Sequence, residues 1–336
     1  MSEPRSEARR ILLLLLPHLG ILVLASLVTP LFGPQLLSPA QFLGALLSPG
    51  SDALSQIVIS SRLPRLALAA VAGSGLAVSG VTLQSVLKNP LASPFTLGVA
   101  SGGSFGVAIA IVLGLDFALL GMGAVQITAV IGAVATMLVI FAIARALGFT
   151  SMSLILAGVT VNLTASAGIL LVQSLSDMAQ SHIIIHWLMG GLDLWGSRGL
   201  GFVTVVVALG ILGSFALSPA LNHIMIGEEI AAGRGIQVRR VLLTVLVLSS
   251  AMTGAVVSIA GPVAFVGLIV PHAARLVGVP DNRYLVPASA MSGASVLMIC
   301  DAFARTAFAP VEMPVGIVTS ILGGATFIVL LFAHRR

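Results

Sequence analysis

Residues 117–144 read FALLGMGAVQITAVIGAVATMLVIFAIA, twenty-eight positions without an Asp, Glu, Lys or Arg. About 20 mostly apolar residues suffice for a helix to cross the hydrocarbon core of a bilayer. A soluble fold has no place for such a run, because its surface helices keep a polar face toward water. The same texture continues on either side. Of 336 residues, 58% are hydrophobic and 8% charged, against roughly 25% charged in a soluble domain. The mean hydropathy is +1.14. These figures exclude a cytosolic enzyme and a disordered chain. The 36 glycines fit closely packed membrane helices. A single cysteine, Cys300, allows no internal disulfide and no Cys-based zinc site.

Ten stretches are long and apolar enough to be read as spans: roughly 11–32, 63–86, 95–114, 117–144, 152–174, 199–218, 239–260, 263–277, 285–307 and 313–333. The eighth is short and follows Gly261-Pro262, so it is expected to tilt or re-enter. Stretches 39–60 and 178–195 are apolar but broken, the first by Pro39, Pro49, Gly50 and Asp52, the second by Asp177, Gly190, Gly191 and Asp193. They read as short helices lying at one membrane face.

The net charge of +5 sits in short clusters between the apolar runs and not as a nucleic-acid footprint. With the N-terminus in the cytoplasm, twelve cations fall inside: Arg5, Arg9, Arg10, Lys88, Arg145, Arg234, Arg239, Arg240, Arg275, Arg283, Arg335 and Arg336. Only Arg62, Arg65, Arg198 and Arg305 fall outside. This bias predicts ten crossings with both termini cytoplasmic. Arg9-Arg10 before an apolar run could also open a signal peptide, but no small-x-small cleavage site follows, so the helix is kept as the first span. Residues 1–336 read as one membrane domain. Its longest inner loop, about 219–238, is too short to be a catalytic domain.

Several chemistries lack their residues. The single lysine, Lys88, precedes Asn89, so there is no Gly-Lys-Ser/Thr loop to cradle nucleotide phosphates. Any ATP-driven work must come from another subunit. His182 and His186 stand four apart, a spacing that can bind metal, but no nearby ligand completes a tetrahedral set; no metal site is expected. Gly102-Gly103-Ser104-Phe105-Gly106 fits the Gly-x-Ser-x-Gly hydrolase pattern, yet no strand precedes it. Gly98, Gly102 and Gly106 recur every four residues and read instead as a small-residue seam between helices. An ion-coupled transporter buries carboxylates mid-membrane, whereas the acids here sit near helix ends or in loops. Asp301 and Arg305, four apart, are the exception: either an i,i+4 pair within the helix or a charge shown to a cavity or partner.

Several segments in order resemble one family, the FecCD permease subunits of ABC importers for iron chelates, haem and cobalamin. Arg62-Leu63-Pro64-Arg65 resembles its R-L-P-R. Ser79-Gly80, Gln84, Asn89-Pro90-Leu91-Ala92-Ser93-Pro94 and Leu97-Gly98 follow its S-G-x-x-x-Q and N-P-L-A-x-P-x-x-L-G pattern. Leu156-Ala157-Gly158-Val159, Gly227-Glu228 with Ala231 and Gly235, and Gly261-Pro262-Val263-Ala264-Phe265-Val266-Gly267-Leu268 with Pro271-His272 and Arg275 continue the likeness. Asp301, Arg305, Glu312, Pro314-Val315-Gly316 and Thr319 complete it, so that it runs over about 60–333. Asn282 departs from the usual His, Gly233-Arg234 from a bulkier coupling-helix ending, and Gly324-Ala325 from a common Ala-Pro.

The resemblance implies an all-α type II importer permease of about ten transmembrane helices in the bacterial inner membrane. It implies pairing with a second permease copy or close homologue, two ATP-binding subunits that carry the ATP and Mg, and an external solute-binding protein. No cofactor is bound directly by the permease. A ferric siderophore is the expected cargo, with haem or cobalamin as alternatives; an ion-coupled carrier and an intramembrane hydrolase are the readings it displaces. Arg62, Arg65 and Arg305 would meet acids of the binding protein as exposed docking cations. Asn89, Leu91, Ser151 and Met152 would form the cytoplasmic gate. Gly227, Glu228, Glu229 and Gly235 would couple to the ATPase from two short helices joined by a Gly turn. Thr160, Asn162, Thr164 and Ser166 would offer polar atoms to the pathway on the fifth span.

Overall fold

The protein is described from a computed structural model that covers residues 4–50, 52–119, 121–148, 150–192 and 199–333, with side chains from 13 to 329. Arg198, Asp193, Arg335 and Arg336, and the side chains of Arg5, Arg9 and Arg10, lie outside the described residues.

Helices dominate. In chain order they are α1 (Pro4–Val28), α2 (Pro39–Leu47), α3 (Ala53–Ile57), α4 (Leu63–Val86), α5 (Val99–Val112), α6 (Ala124–Ala146), α7 (Ser151–Leu175) and α8 (Met178–Leu188). They continue as α9 (Leu200–Ile226), α10 (Glu228–Gly233), α11 (Val238–Ala260), α12 (Val266–Leu276), α13 (Asn282–Thr306) and α14 (Val315–Ala333). A two-residue hairpin, β1 (Ala118–Leu119) with β2 (Met122–Gly123), shortens the quoted apolar run at its start, so α6 begins at 124 and not near 117.

Among the described residues seven helical stretches are long and apolar enough to cross a membrane. Three shorter apolar helices, α5, α12 and α14, fall on the remaining expected spans. The two broken stretches are indeed short helices. Ser38, Asp52 and Asp177 break the chain by capping: each side chain accepts from a backbone N–H of the first turn of α2, α3 and α8 respectively. A single π turn, Val58–Arg62, then joins α3 to α4, so the second span is continuous helix from Ala53 to Val86.

Burial sets a centre and a periphery. In their most apolar windows α3–α4 is 72% buried and α11 and α13 are each 67%, against 28% for α6 and 22% for α7 and α9. Lipid is as apolar as Leu, so packing in a membrane depends on close backbone approach. The glycines provide it. A Cβ on Gly73 would overlap the Gly293 carbonyl, which locks α4 to α13, and one on Gly80 would overlap the Gly267 carbonyl of α12. The Gly98, Gly102 and Gly106 seam divides. Gly102 and Gly106 abut α6 at Thr136 and Thr128, whereas Gly98 caps α5 in the left-handed region (φ +74°) and abuts Asn162 of α7.

Candidate functional site at the two membrane faces

Three arginines converge at the end that the charge bias assigns to the outside, called the outer end below, with the opposite end called inner. All are buried where exposed side chains were expected: Arg62, Arg65 and Arg305 are 6%, 8% and 7% accessible. Their residues face inward from the first turns of α4 and the last turn of α13. Arg62 donates through Nη1 to Pro30 O and through Nη2 to Gln35 O, both at 2.6 Å. Arg305 donates through Nη1 to Phe32 O at 2.8 Å. Together they stitch the irregular 29–35 segment after α1 onto the bundle. Asp301 settles the two readings of its pair with Arg305 in favour of a shared internal network. Its Oδ2 lies 2.9 Å from Arg305 Nε, and its Oδ1 accepts from Arg65 Nε at 2.9 Å. Arg65 Nη1 also donates to Glu312 Oε2 at 2.7 Å. Two guanidiniums thus bracket the buried Asp301 carboxyl, the arrangement that an acidic group in the interior requires.

The inner end is built from α10 and two turns. The expected loop at 219–238 is shorter than read, because α9 runs through Pro219 to Ile226. Residues 219–226 are two more turns of α9, so there is one short helix, α10, and not two. Gly227 makes the corner, Glu228 and Glu229 occupy the first turn of α10, where acids suit the N-terminal dipole. Gly235 (φ +80°) turns the chain away, with Gly235 N donating to Ala232 O and Ile236 N to Ala231 O. Lys88 Nζ then reaches Glu228 Oε1 at 3.1 Å. The single lysine thus ties α10 to the turn after α4.

That turn is self-braced. Asn89 Oδ1 accepts from Leu91 N at 2.9 Å, and Pro90 fixes its own φ. Leu91 is exposed. The second expected gate element begins α7, where Thr150 and Ser153 form a reciprocal cap; Met152 is exposed beside it. An inner cleft of about 690 Å³ is lined by Arg145, Thr150, Ser151, Met152, Glu228 and Arg239. Ser151, Met152 and Glu228, assigned to different roles from sequence, therefore share one surface.

Beneath them lies a chain of mainly neutral groups to which the sequence reading assigned no role. Ser85 Oγ donates to Asn282 Oδ1 at 2.8 Å, and Asn282 Nδ2 donates to Asn222 Oδ1 at 2.8 Å. Asn222 Nδ2 donates to Asp281 Oδ1 at 2.6 Å. Arg275 donates to Gln84 Oε1, and Gln84 Nε2 donates to Gly267 O at 3.2 Å. This chain joins α4, α9, α12 and α13. Asn282, noticed only as a departure from a pattern, is fully buried and central to it. At its edge burial disfavours the charge of Asp281, but hydrogen bonds from Arg283 and Asn222 outweigh that and hold its carboxyl below the ordinary range.

On α7 the expected pathway residues separate. Thr160 and Thr164 are exposed and turn their hydroxyls back to Leu156 O and Thr160 O, each at 2.9 Å. Asn162 instead accepts from Ser101 Oγ and packs against α5; a helix contact, not an open wall, consumes its amide oxygen. Ser166 lines a second cleft, of about 600 Å³, with Ser101, Ser104, Pro262, Ala264 and Gly316. Its floor is irregular backbone, in which Gly191 N donates to Ala260 O at 2.9 Å and Gly316 N to Gly190 O at 3.0 Å. Polar backbone at such depth is tolerated where it is paired within protein or lines a cavity.

The fold and site thus define a polytopic helical membrane protein with a charge cluster at one end, a short-helix corner at the other and a cleft lined by Ser166. The family model of the FecCD transport family matches residues 19–333, and the chain belongs to that family. It is 37% identical over 289 residues to the hemin transport system permease protein of Yersinia pestis, covering 85% of this chain and 86% of that one. To the vitamin B12 import system permease protein of Vibrio vulnificus it is 33% identical, covering 94% and 93%. To the achromobactin transport system permease protein of Dickeya dadantii it is 34% identical, covering 94% and 90%. Among solved structures, an inward-facing metal-chelate type ABC transporter superposes with a TM-score of 0.84 at 29% identity, over 95% of this chain and 98% of that one.

Proposed function

We propose that this chain is the membrane permease subunit of an ATP-binding-cassette importer, crossing the bacterial inner membrane ten times with both termini cytoplasmic. It carries a metal chelate or a tetrapyrrole-like ligand inward, with a ferric siderophore as first choice and haem and cobalamin behind it. The single observation that carries this reading is the inner corner: a family permease presents α10, with Glu228 and Glu229 exposed, tied through Lys88 to the turn that holds Asn89 and Leu91. Movement of a subunit seated on α10 reaches the gate turn directly. ATP and Mg belong to that subunit.

The other roles follow from the same frame. A second copy or close homologue covers the exposed apolar faces of α7 and α14, among them Leu163, Leu170, Ile321 and Ile328, and the cleft bearing Ser166 opens toward the shared path. Thr160 and Thr164, back-bonded and exposed, suit a wall that holds cargo weakly. A solute-binding protein docks over the outer knot, where Arg62, Arg65 and Arg305 act as a partly neutralised cationic base and not as free side chains.

The test is uptake into proteoliposomes that hold the permease, its ATPase and its binding protein. A ferric siderophore, haem and cobalamin are offered in turn with ATP on the cytoplasmic side. ATP-dependent accumulation of one of the three is expected. Accumulation driven by an ion gradient without ATP would sink the reading.

A further inference from the structure

The outer knot contains one carboxylate unlike the other. Asp301 has a side chain 3% exposed, whereas Glu312, paired with the same Arg65, is 36% exposed. Arg65 therefore has one interior partner and one at the surface. Three guanidiniums, Arg62, Arg65 and Arg305, stand there against two carboxylates, and Arg62 has only backbone carbonyls as acceptors. The knot has room for one further negative charge. Glu312 also sits in the segment that leads into α14. Two residues after it comes Pro314, and Gly316 N then donates to Gly190 O in the floor of the cleft. The Arg65–Glu312 pair is thus one of three ties on this segment, beside Met313 N donating to Ala304 O at 3.1 Å and Gly316 N to Gly190 O, and the one of the three that is an ion pair to α4.

We propose that Glu312 is a resident stand-in for a carboxylate of the docking protein. A partner's acidic side chain takes Arg65 Nη1, Glu312 is released to water, and the segment before α14 loses its ion-pair tie to α4 beside the cleft. The inference rests on the docking reading given above. The exchange is cheap because one carboxylate replaces another on the same guanidinium, while Glu312, 36% exposed, returns to water. Asp301 stays in place meanwhile, so no buried guanidinium is left uncompensated. Docking then biases α14 because the partner has a contact only in the released arrangement.

The experiment uses the full-length permease assembled with its ATPase in lipid nanodiscs and the purified solute-binding protein of the same system as probe. Glu312→Gln removes the internal competitor. It should tighten capture of the binding protein about two- to fivefold at low salt, with the gain shrinking as salt rises. In a Ser320→Cys background, maleimide labelling without any binding protein should run at least about twofold faster in Glu312→Gln, as expected for loss of one exposed pair. Ser320 lines the cleft, and the native Cys300 is buried. Unchanged or weaker capture by Glu312→Gln would overturn the stand-in, and unchanged labelling would overturn the release of α14. A double variant, Arg65→Gln with Glu312→Gln, removes the Arg65–Glu312 pair together and leaves Asp301 paired with Arg305, so that the bundle survives. If it loses capture while Glu312→Gln changes nothing, docking stands and this inference falls. If it captures as well as wild type, the docking reading falls and takes the inference with it.

Discussion

The outer and inner ends of this bundle are held by opposite chemistry. Outside, Arg65 and Arg305 form an ion cluster with Asp301 and Glu312, whose members come from α4, α13 and the segment before α14, while Arg62 beside it bonds backbone carbonyls. Inside, Ser85, Asn222 and Asn282 link the helices mainly through neutral amides and hydroxyls, with one part-buried cation, Arg275, held by the neutral Gln84 and Ser85, and with Asp281 and Arg283 at the edge. An ion cluster is rigid while complete and can be exchanged by an outside charge. A chain of neutral hydrogen bonds is indifferent to charge but depends on every link, because each amide left unpaired in an apolar interior carries its full desolvation cost.

The largest effect that could break this contrast is at Asp301. Asp301→Ala would leave Arg65 and Arg305 facing each other in the interior, and about 3–5 kcal/mol of stability should be lost. Thermal unfolding in detergent measures it; a loss below 1 kcal/mol would mean water reaches the knot freely. Next comes Asn282→Ala, which strands Ser85 and Asn222 and should cost about 2–3 kcal/mol. Its penalty should be the same at low and high salt, and a salt-dependent penalty would show that the inner end is electrostatic after all.

Smaller still is the Lys88–Glu228 pair, whose side chains are 36% and 55% exposed. Lys88→Ala should change stability by less than about 1 kcal/mol, yet reduce ATPase stimulation in the assembled transporter. Unaltered stimulation would make the tie decorative. The smallest effect concerns pH. The Asp281 carboxyl is held below its ordinary value of 3.8, so its contribution is fully present above that value and is lost as pH falls through the lower folded value. Asp281→Asn should therefore melt below wild type at neutral pH, and the gap should close toward pH 3. A gap independent of pH would assign the effect to packing alone.

The two ends also differ in how far they could be read from sequence. Charge announces itself in a chain this apolar, so Arg62, Arg65, Asp301 and Arg305 were found at once. What remained hidden was the direction in which they point: an outer-face arginine reads as exposed until the chain shows Pro30 O and Gln35 O turned toward it. Serines and asparagines are common enough in membrane helices that Ser85 and Asn222 carry no signal alone, and Asn282 shows only as a departure from the usual His until three helices bring them together. Lys88 did carry one. It is the only lysine, placed beside the expected gate turn, and it was read for the nucleotide loop it could not make and not for the acid it could meet. The end of α9 was misread for a different reason. The span read at 199–218 ends just before Pro219, but a proline inside a helix costs one hydrogen bond and a kink, and neighbouring packing through the buried Ser218 and Leu221 carries α9 past it.

The central claim is that this chain moves cargo with energy supplied by another subunit. The direct measurement is nucleotide binding and hydrolysis by the purified permease alone and in complex with its ATPase. The account predicts no nucleotide binding to the isolated chain at micromolar concentration, with hydrolysis appearing only in the complex and weakened when Glu228→Arg and Glu229→Arg disturb α10. Micromolar binding or hydrolysis of ATP by the isolated permease would contradict it.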